Sequence, residues 1–205
     1  MKRSTLLPLS GAFGLLFATS QSVNSAASLR YAPDVSTSNI NQPVLPFALM
    51  GADNKRHTLA EFQGHPTTVF FFCGCDWCTR CAKTWAQFQR SEVLRSDQSA
   101  RSVPAKSAGI NTLIVFAGDA SAAQSFAAQT GLRPEQTLML CDTTMRVTNA
   151  YRVESCPRVF VVDAKGRCRY TNNHQDDRSH AATPLTIVCR ALNAMHTAQA
   201  AKVNN

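Results

Sequence analysis

The sequence predicts an α/β fold whose central sheet is parallel in its middle and antiparallel at one edge. Three observations carry this. First, residues 67–73 and 111–117 are apolar, β-branched and aromatic runs without polar alternation, the mark of strands buried on both faces. Second, a helical period follows each run. Cys81, Trp85 and Phe88 fall on one face at i, i+4 and i+7, and Ser121-x-x-Gln124 is a capping-box pattern whose helix ends at Gly131. Third, the chain finishes with a strand at 159–162, a turn at Asp163-Ala164-Lys165-Gly166, a returning strand at 167–170 and a helix. Strands alternating with helices give a parallel sheet covered on its faces, and the final hairpin supplies the antiparallel edge. Reactive groups in such sheets gather beyond the C-terminal ends of the parallel strands.

The remaining elements follow in order. Residues 43–49 form a short strand, 51–55 turn, and 57–59 pair back as a hairpin, with one helical turn at 59–62 before Gly64. The helix after the first buried strand is expected from Cys78 to about Arg95, and a polar loop with Pro104 fills 96–109. A third strand is read at 137–141 and a short helix at 143–151. Residues 172–180 are a polar loop, in which His174 and His180 read as surface residues, as do His57, His65 and His196. Thr183-Pro184 is a cap with proline at the first helical position, opening a helix with Leu185, Val188, Leu192 and Met195 on one face.

The chain of 205 residues is long enough for one domain with a proper core. With 44% hydrophobic and 17% charged residues its composition excludes an intrinsically disordered chain. The N-terminus reads as an export address: Lys2 and Arg3, an apolar stretch over 6–18, then Ser25-Ala26-Ala27 as a small-residue cleavage site. Pro8, Gly11 and Gly14 interrupt that stretch, which is short for a membrane span, and the absence of a closely following cysteine argues against a lipid anchor. The expected organisation is a signal peptide at 1–27, a flexible leader at 28–42 and one domain at 43–201. The mature protein is then periplasmic or otherwise exported, with no stable membrane insertion after cleavage; an uncleaved anchor is the alternative. Loss of Lys2 and Arg3 lowers the net charge from +8 to +6. That charge is spread along the chain without basic clusters interleaved with aromatics, so no nucleic-acid partner is expected.

Four of the eight cysteines fall between Cys73 and Cys81, bunching that favours redox chemistry or metal binding over a structural disulfide framework. A thiol at a helix N-terminus has its thiolate stabilised by the helix dipole and by free N–H groups, and a second thiol one turn later can resolve a mixed disulfide. Cys78-x-x-Cys81 offers that spacing, with Cys78 expected as the exposed attacker and Cys81 as the more buried resolver. Cys75-x-x-Cys78 is a competing motif. Cys73 and Cys75, at i and i+2 on a strand end, could form a second redox pair, hold copper(I) or zinc, or be buried small residues. No metal site is assigned, and Cys141, Cys168 and Cys189 belong to no motif. Cys189 is expected to pack, and a Cys168–Cys189 disulfide is conceivable.

Several separated patterns carry a resemblance. They are Leu59-x-x-Phe62-x-Gly64-x-Pro66, Trp77-Cys78-x-x-Cys81, Asp142 with Ala150-Tyr151-Arg152-Val153-x-x-x-Pro157, and Val159-Phe160-Val161-Val162-Asp163-x-x-Gly166. With them, residues 43–170 resemble the thioredoxin-like superfamily, and within it the exported TlpA/ResA-type redoxins related to AhpC/TSA proteins. The resemblance implies a thioredoxin-like fold, a mixed central sheet flanked by helices, with an N-terminal hairpin and an extra strand–helix insertion over 111–131. It implies a thiol–disulfide oxidoreductase without a cofactor, acting on protein thiols or disulfides, with apocytochrome c or another redox protein as partner. Pro157 would be a cis-proline facing the dithiol, forming with Trp77 and Cys156 the surface that meets a substrate peptide.

Four departures from the family pattern stand out. Arg158 replaces the usual Thr after the proline and, with Arg80, is expected to lower the thiolate pKa. Cys156 brings a third thiol near the pair, either reactive or packed as a small apolar group. Phe72 stands where plain thioredoxin has a buried acid, leaving Glu154 as the nearest carboxylate. Cys73 and Cys75 are the fourth departure. Two other functions share this fold: a peroxiredoxin-type thiol peroxidase, whose peroxide-positioning Thr is here Cys75, and a Sco-type copper assembly factor, whose Cys-x-x-x-Cys and later His are not in register.

Overall fold

The computed structural model describes residues 40–99, 111–172 and 183–203. The predicted signal peptide, most of the leader, and His174 and His180 lie outside the described residues. The strands are β1 (Ala48–Gly51), β2 (Arg56–Thr58), β3 (Thr67–Phe72), β4 (Asn111–Phe116), β5 (Thr137–Cys141), β6 (Arg158–Val162) and β7 (Cys168–Thr171). The helices are α1 (Asp76–Ser99), α2 (Ala120–Thr130), α3 (Arg146–Ala150) and α4 (Pro184–Val203), and a 3-10 turn spans Leu59–Phe62. One seven-stranded sheet runs β2-β1-β5-β4-β3-β6-β7. The β3–β4 and β4–β5 pairs are parallel, whereas β6, β7, β1 and β2 join antiparallel. This is the mixed sheet that the run-and-helix alternation predicts, with antiparallel pairing at both edges where the sequence placed it at one.

Every residue of β3 is buried because both faces of the sheet are covered. Phe70 and Phe72 point to the face packed by α1, α2 and α4, together with Ile114, Phe116, Val159 and Val161. Val69 and Phe71 point to the other, with Leu113, Val115, Phe160, Val162 and Tyr151. Each such side chain contributes about 1.5–3 kcal/mol by leaving water. Trp85 locks α1 onto the sheet: its ring lies 4.9 Å from that of Phe70, and its Nε1–H donates to Thr112 Oγ1 at 3.1 Å. Gln89, one turn further on, is buried but fully engaged, donating to Thr112, Thr137 and the Gln136 carbonyl.

Several local expectations are corrected. The cap of α2 is Asp119, whose carboxylate accepts from Ala122 N at 2.8 Å; Ser121 lies inside the helix, so the capping-box reading was two residues late. Helix α4 does begin at Thr183-Pro184, with Thr183 Oγ1 accepting from Thr186 N, but it buries Ile187, Val188, Ala191 and Met195. Leu185 is 59% exposed and Cys189 is exposed, because the packing stripe is rotated from the predicted one. Cys168 and Cys189 are free thiols, and Cys168 packs on the sheet face opposite α4, which explains why they do not meet. Residues just before 43 also pack on the sheet: Asn41 N donates to the Cys168 carbonyl at 2.7 Å and Cys168 N to the Gln42 carbonyl at 2.9 Å, covering the β7 edge.

Candidate functional site: a four-thiol cluster at the start of α1

The end of β3 and the start of α1 are separated by only three residues, Cys73, Gly74 and Cys75. Gly74 adopts φ +83°, a left-handed conformation that side chains disfavour, and it turns the chain out of the sheet. The extended-strand rule for Cys73 and Cys75 therefore does not apply; the turn itself aims both sulfurs at Cys78. The Cys75 carbonyl accepts from Thr79 N at 2.9 Å, so Cys75 is the N-cap of α1 and Cys78 is its third residue. The helix begins two residues earlier than predicted.

This shift changes the environment of each thiol. Cys75 is exposed and takes the capping position, where the backbone N–H groups of Cys78 and Trp77 reach its sulfur. Partial burial pushes its pKa up, but those N–H groups and the neighbouring thiols outweigh it and hold Cys75 below the usual thiol value. Cys78, expected to be exposed, is fully buried. A hydrogen bond with Cys156 and then burial push its pKa strongly upward, opposed by the Cys73 backbone N–H at 3.4 Å. Cys78 is the hub of the cluster: its sulfur lies 3.5 Å from that of Cys75 and 3.8 Å from that of Cys73, and the sulfurs of Cys73, Cys78 and Cys156 are all within 4.8 Å of one another. Cys81 is also fully buried, within the α1–sheet core, and burial followed by the charge of Cys78 pushes it up to about 12.

The loop before β6 supplies the opposite wall. The Cys156–Pro157 peptide bond is cis, as the resemblance implies, with Cys156 half-buried and Pro157 buried. Asn172 clamps this loop: its side-chain oxygen accepts from Val159 N at 2.7 Å and its amide donates to the Pro157 carbonyl at 3.0 Å. Asn172 falls in the polar loop predicted at 172–180, and only its position one residue beyond β7 points to it. Asn172→Ala orphans two backbone groups and is expected to cost about 1–3 kcal/mol in urea unfolding.

Trp77 is 41% exposed beside the cluster, and the Arg80 guanidinium carbon sits 5.3 Å from its ring centroid. Arg158 is not brought to the thiols. Strand alternation puts it on the face of Phe160, 5.4 Å from that ring centroid, while Val159 and Val161 face the α1 side. Burial lowers its pKa, and its electrostatic partners are Cys168, Glu154 and Tyr170. Arg158 therefore lies on the sheet face opposite α1, where it does not adjoin the Cys78–Cys81 dithiol. Phe72 is buried where the acid was missed, and Glu154 is exposed.

Residues 40–171 match the AhpC/TSA family. The chain belongs to the AhpC/TSA family. Membership supports thiol-based redox chemistry at the level of the family, and no curated protein matches the chain. Solved structures show the fold to be thioredoxin-like. A secreted disulfide oxidoreductase of Mycobacterium tuberculosis homologous to E. coli DsbE aligns with a TM-score of 0.53 and 18% identity, covering 77% of this AhpC/TSA chain and 99% of that one. A putative protein disulfide isomerase from Bacteroides thetaiotaomicron gives 0.53 at 16% identity, covering 76% and 89%. The peroxidoxin BcpB of M. tuberculosis gives 0.59 at 12% identity, covering 78% and 97%.

Proposed function

We propose that the protein is an exported thiol–disulfide oxidoreductase in which Cys75 attacks and Cys78 resolves. The observation that carries this is the exposed, N-capping Cys75 sulfur 3.5 Å from that of Cys78. The Cys75 thiolate attacks one sulfur of a substrate disulfide; the other sulfur leaves as a thiolate and takes a proton from water. Cys78 then gives up its proton to solvent through the open side of the cluster and attacks the Cys75 sulfur. The Cys75–Cys78 disulfide forms and the second substrate thiolate departs. Trp77, exposed in the first turn of α1, and the loop of Cys156 and the cis Pro157 supply the surface for an extended substrate segment. Protein disulfides are the substrate class, apocytochrome c among them.

The Cys78–Cys81 pairing read from the sequence is the competing assignment, and alkylation distinguishes the two. With iodoacetamide at rising pH, Cys75 is expected to react first, with its inflection below the usual thiol value. Cys81 is expected to stay protected until about 12. Mass spectrometry that finds Cys78 or Cys81 modified ahead of Cys75 contradicts this reading. Peroxide consumption faster than disulfide exchange, lost in Cys75→Ser, supports the peroxidase alternative instead.

A further inference from the structure

Disulfide exchange uses one pair of thiols, yet the structure gathers more. Cys73 from the turn after β3, Cys78 from the first turn of α1 and Cys156 from the loop before β6 place their sulfurs within 4.8 Å of one another, with 3.8 Å between Cys73 and Cys78. An ion about 2.3 Å from each of three coplanar sulfurs sets them about 4.0 Å apart, so this triangle closes on one ion with small side-chain movements. Cys78 is buried at its base, while Cys73 is exposed and Cys156 half-buried, so an ion enters from solvent and comes to rest against an apolar wall that includes Phe72 and Phe116.

We propose that the reduced protein binds one copper(I) ion through the thiolates of Cys73, Cys78 and Cys156. The donor set is all sulfur, the choice of a soft ion. Zinc in a closed site takes four ligands, and the nearest fourth sulfur, that of Cys75, falls outside the group of three and caps α1. Binding displaces thiol protons to solvent, so affinity falls as pH falls. Because Cys78 is both ligand and redox partner, a disulfide at Cys78 abolishes the site, and bound copper(I) holds the protein reduced. This sharing applies whichever cysteine pairs with Cys78, so copper binding and the choice of redox pair can fail independently.

The test is anaerobic titration of the reduced full-length chain with copper(I) delivered as its bicinchoninate complex, followed by copper-edge X-ray absorption. One ion per chain with three sulfur ligands is expected. Cys73→Ser and Cys156→Ser, and Cys156→Ala as a second variant at that position, should each weaken binding by more than the roughly 10–100-fold that follows from disturbing a group outside a coordination shell. Circular dichroism matching the parent shows that each variant is folded. Cys75→Ser should keep the site while losing disulfide exchange, and the oxidised protein should not withdraw copper from bicinchoninate. Two-sulfur coordination, a requirement for Cys75, unchanged affinity in the Cys73 and Cys156 variants, or displacement by equimolar zinc would each overturn the proposal.

Discussion

Replacing Cys75 by serine is expected to bring insulin reduction driven by dithiothreitol down to the uncatalysed rate, and Cys78→Ser to do the same, while Cys81→Ser keeps most of the activity. The argument is local. Cys75 is the exposed thiol at the helix cap, Cys78 is its neighbour at 3.5 Å, and Cys81 lies in the core with its thiol pushed up to about 12. Each unit by which the pKa of the attacking thiol falls toward ambient pH raises its thiolate fraction about tenfold. Its nucleophilicity declines with a slope of about 0.4–0.5, so the net gain is about threefold per unit. Lowering the pKa of Cys75 is therefore useful but modest; its exposure and the proximity of Cys78 do more. The same insulin assay would contradict the account if Cys81→Ser were inactive and Cys75→Ser active.

The second large effect is on stability. Trp85→Ala is expected to cost about 3–5 kcal/mol, because it empties a fully buried site against Phe70 and Phe88 at the base of α1. That is a large part of the roughly 5–15 kcal/mol that holds an ordinary domain together. Thr112 keeps a partner in Gln89, so the lost indole hydrogen bond adds little and the cavity dominates. Trp85→Phe should accordingly recover most of the loss. Urea unfolding followed by circular dichroism reads both variants, and a Trp85→Ala cost below about 1 kcal/mol would mean that α1 is not anchored here. Since the four-thiol cluster hangs on the first turn of α1, the alanine variant should also show faster alkylation of Cys78.

The buried strands were legible because their physics is simple. A run such as Thr67 to Phe72, β-branched or aromatic at every position and without a charged residue, fits a strand covered on both faces, and β3, β4 and β5 fall within a residue of their predicted limits. The start of α1 was not legible to the same degree. Cysteine is not among the side chains that ordinarily announce an N-cap, and Asp76-Trp77 reads as a turn until Gly74 is seen to make the turn by itself. That two-residue difference separates the Cys78 read as attacker from the sequence from the Cys75 that we propose for the role. Arg158 was placed by family position, although alternation along β6 already sets Arg158 with Phe160 and apart from Val159 and Val161. Asn172 left no signal beyond its position just after β7, since its role depends on a loop 15 residues earlier in the chain. The shift of the α4 stripe away from Leu185 had a different cause: several faces of that helix are apolar, so periodicity alone did not choose among them.

The most direct measurement is disulfide mapping by mass spectrometry through a glutathione redox titration of the full-length protein. The account predicts that the first bridge to form, and the one that titrates as a single two-electron couple, joins Cys75 to Cys78. A first bridge between Cys78 and Cys81, with Cys75 left as a free thiol, would contradict it.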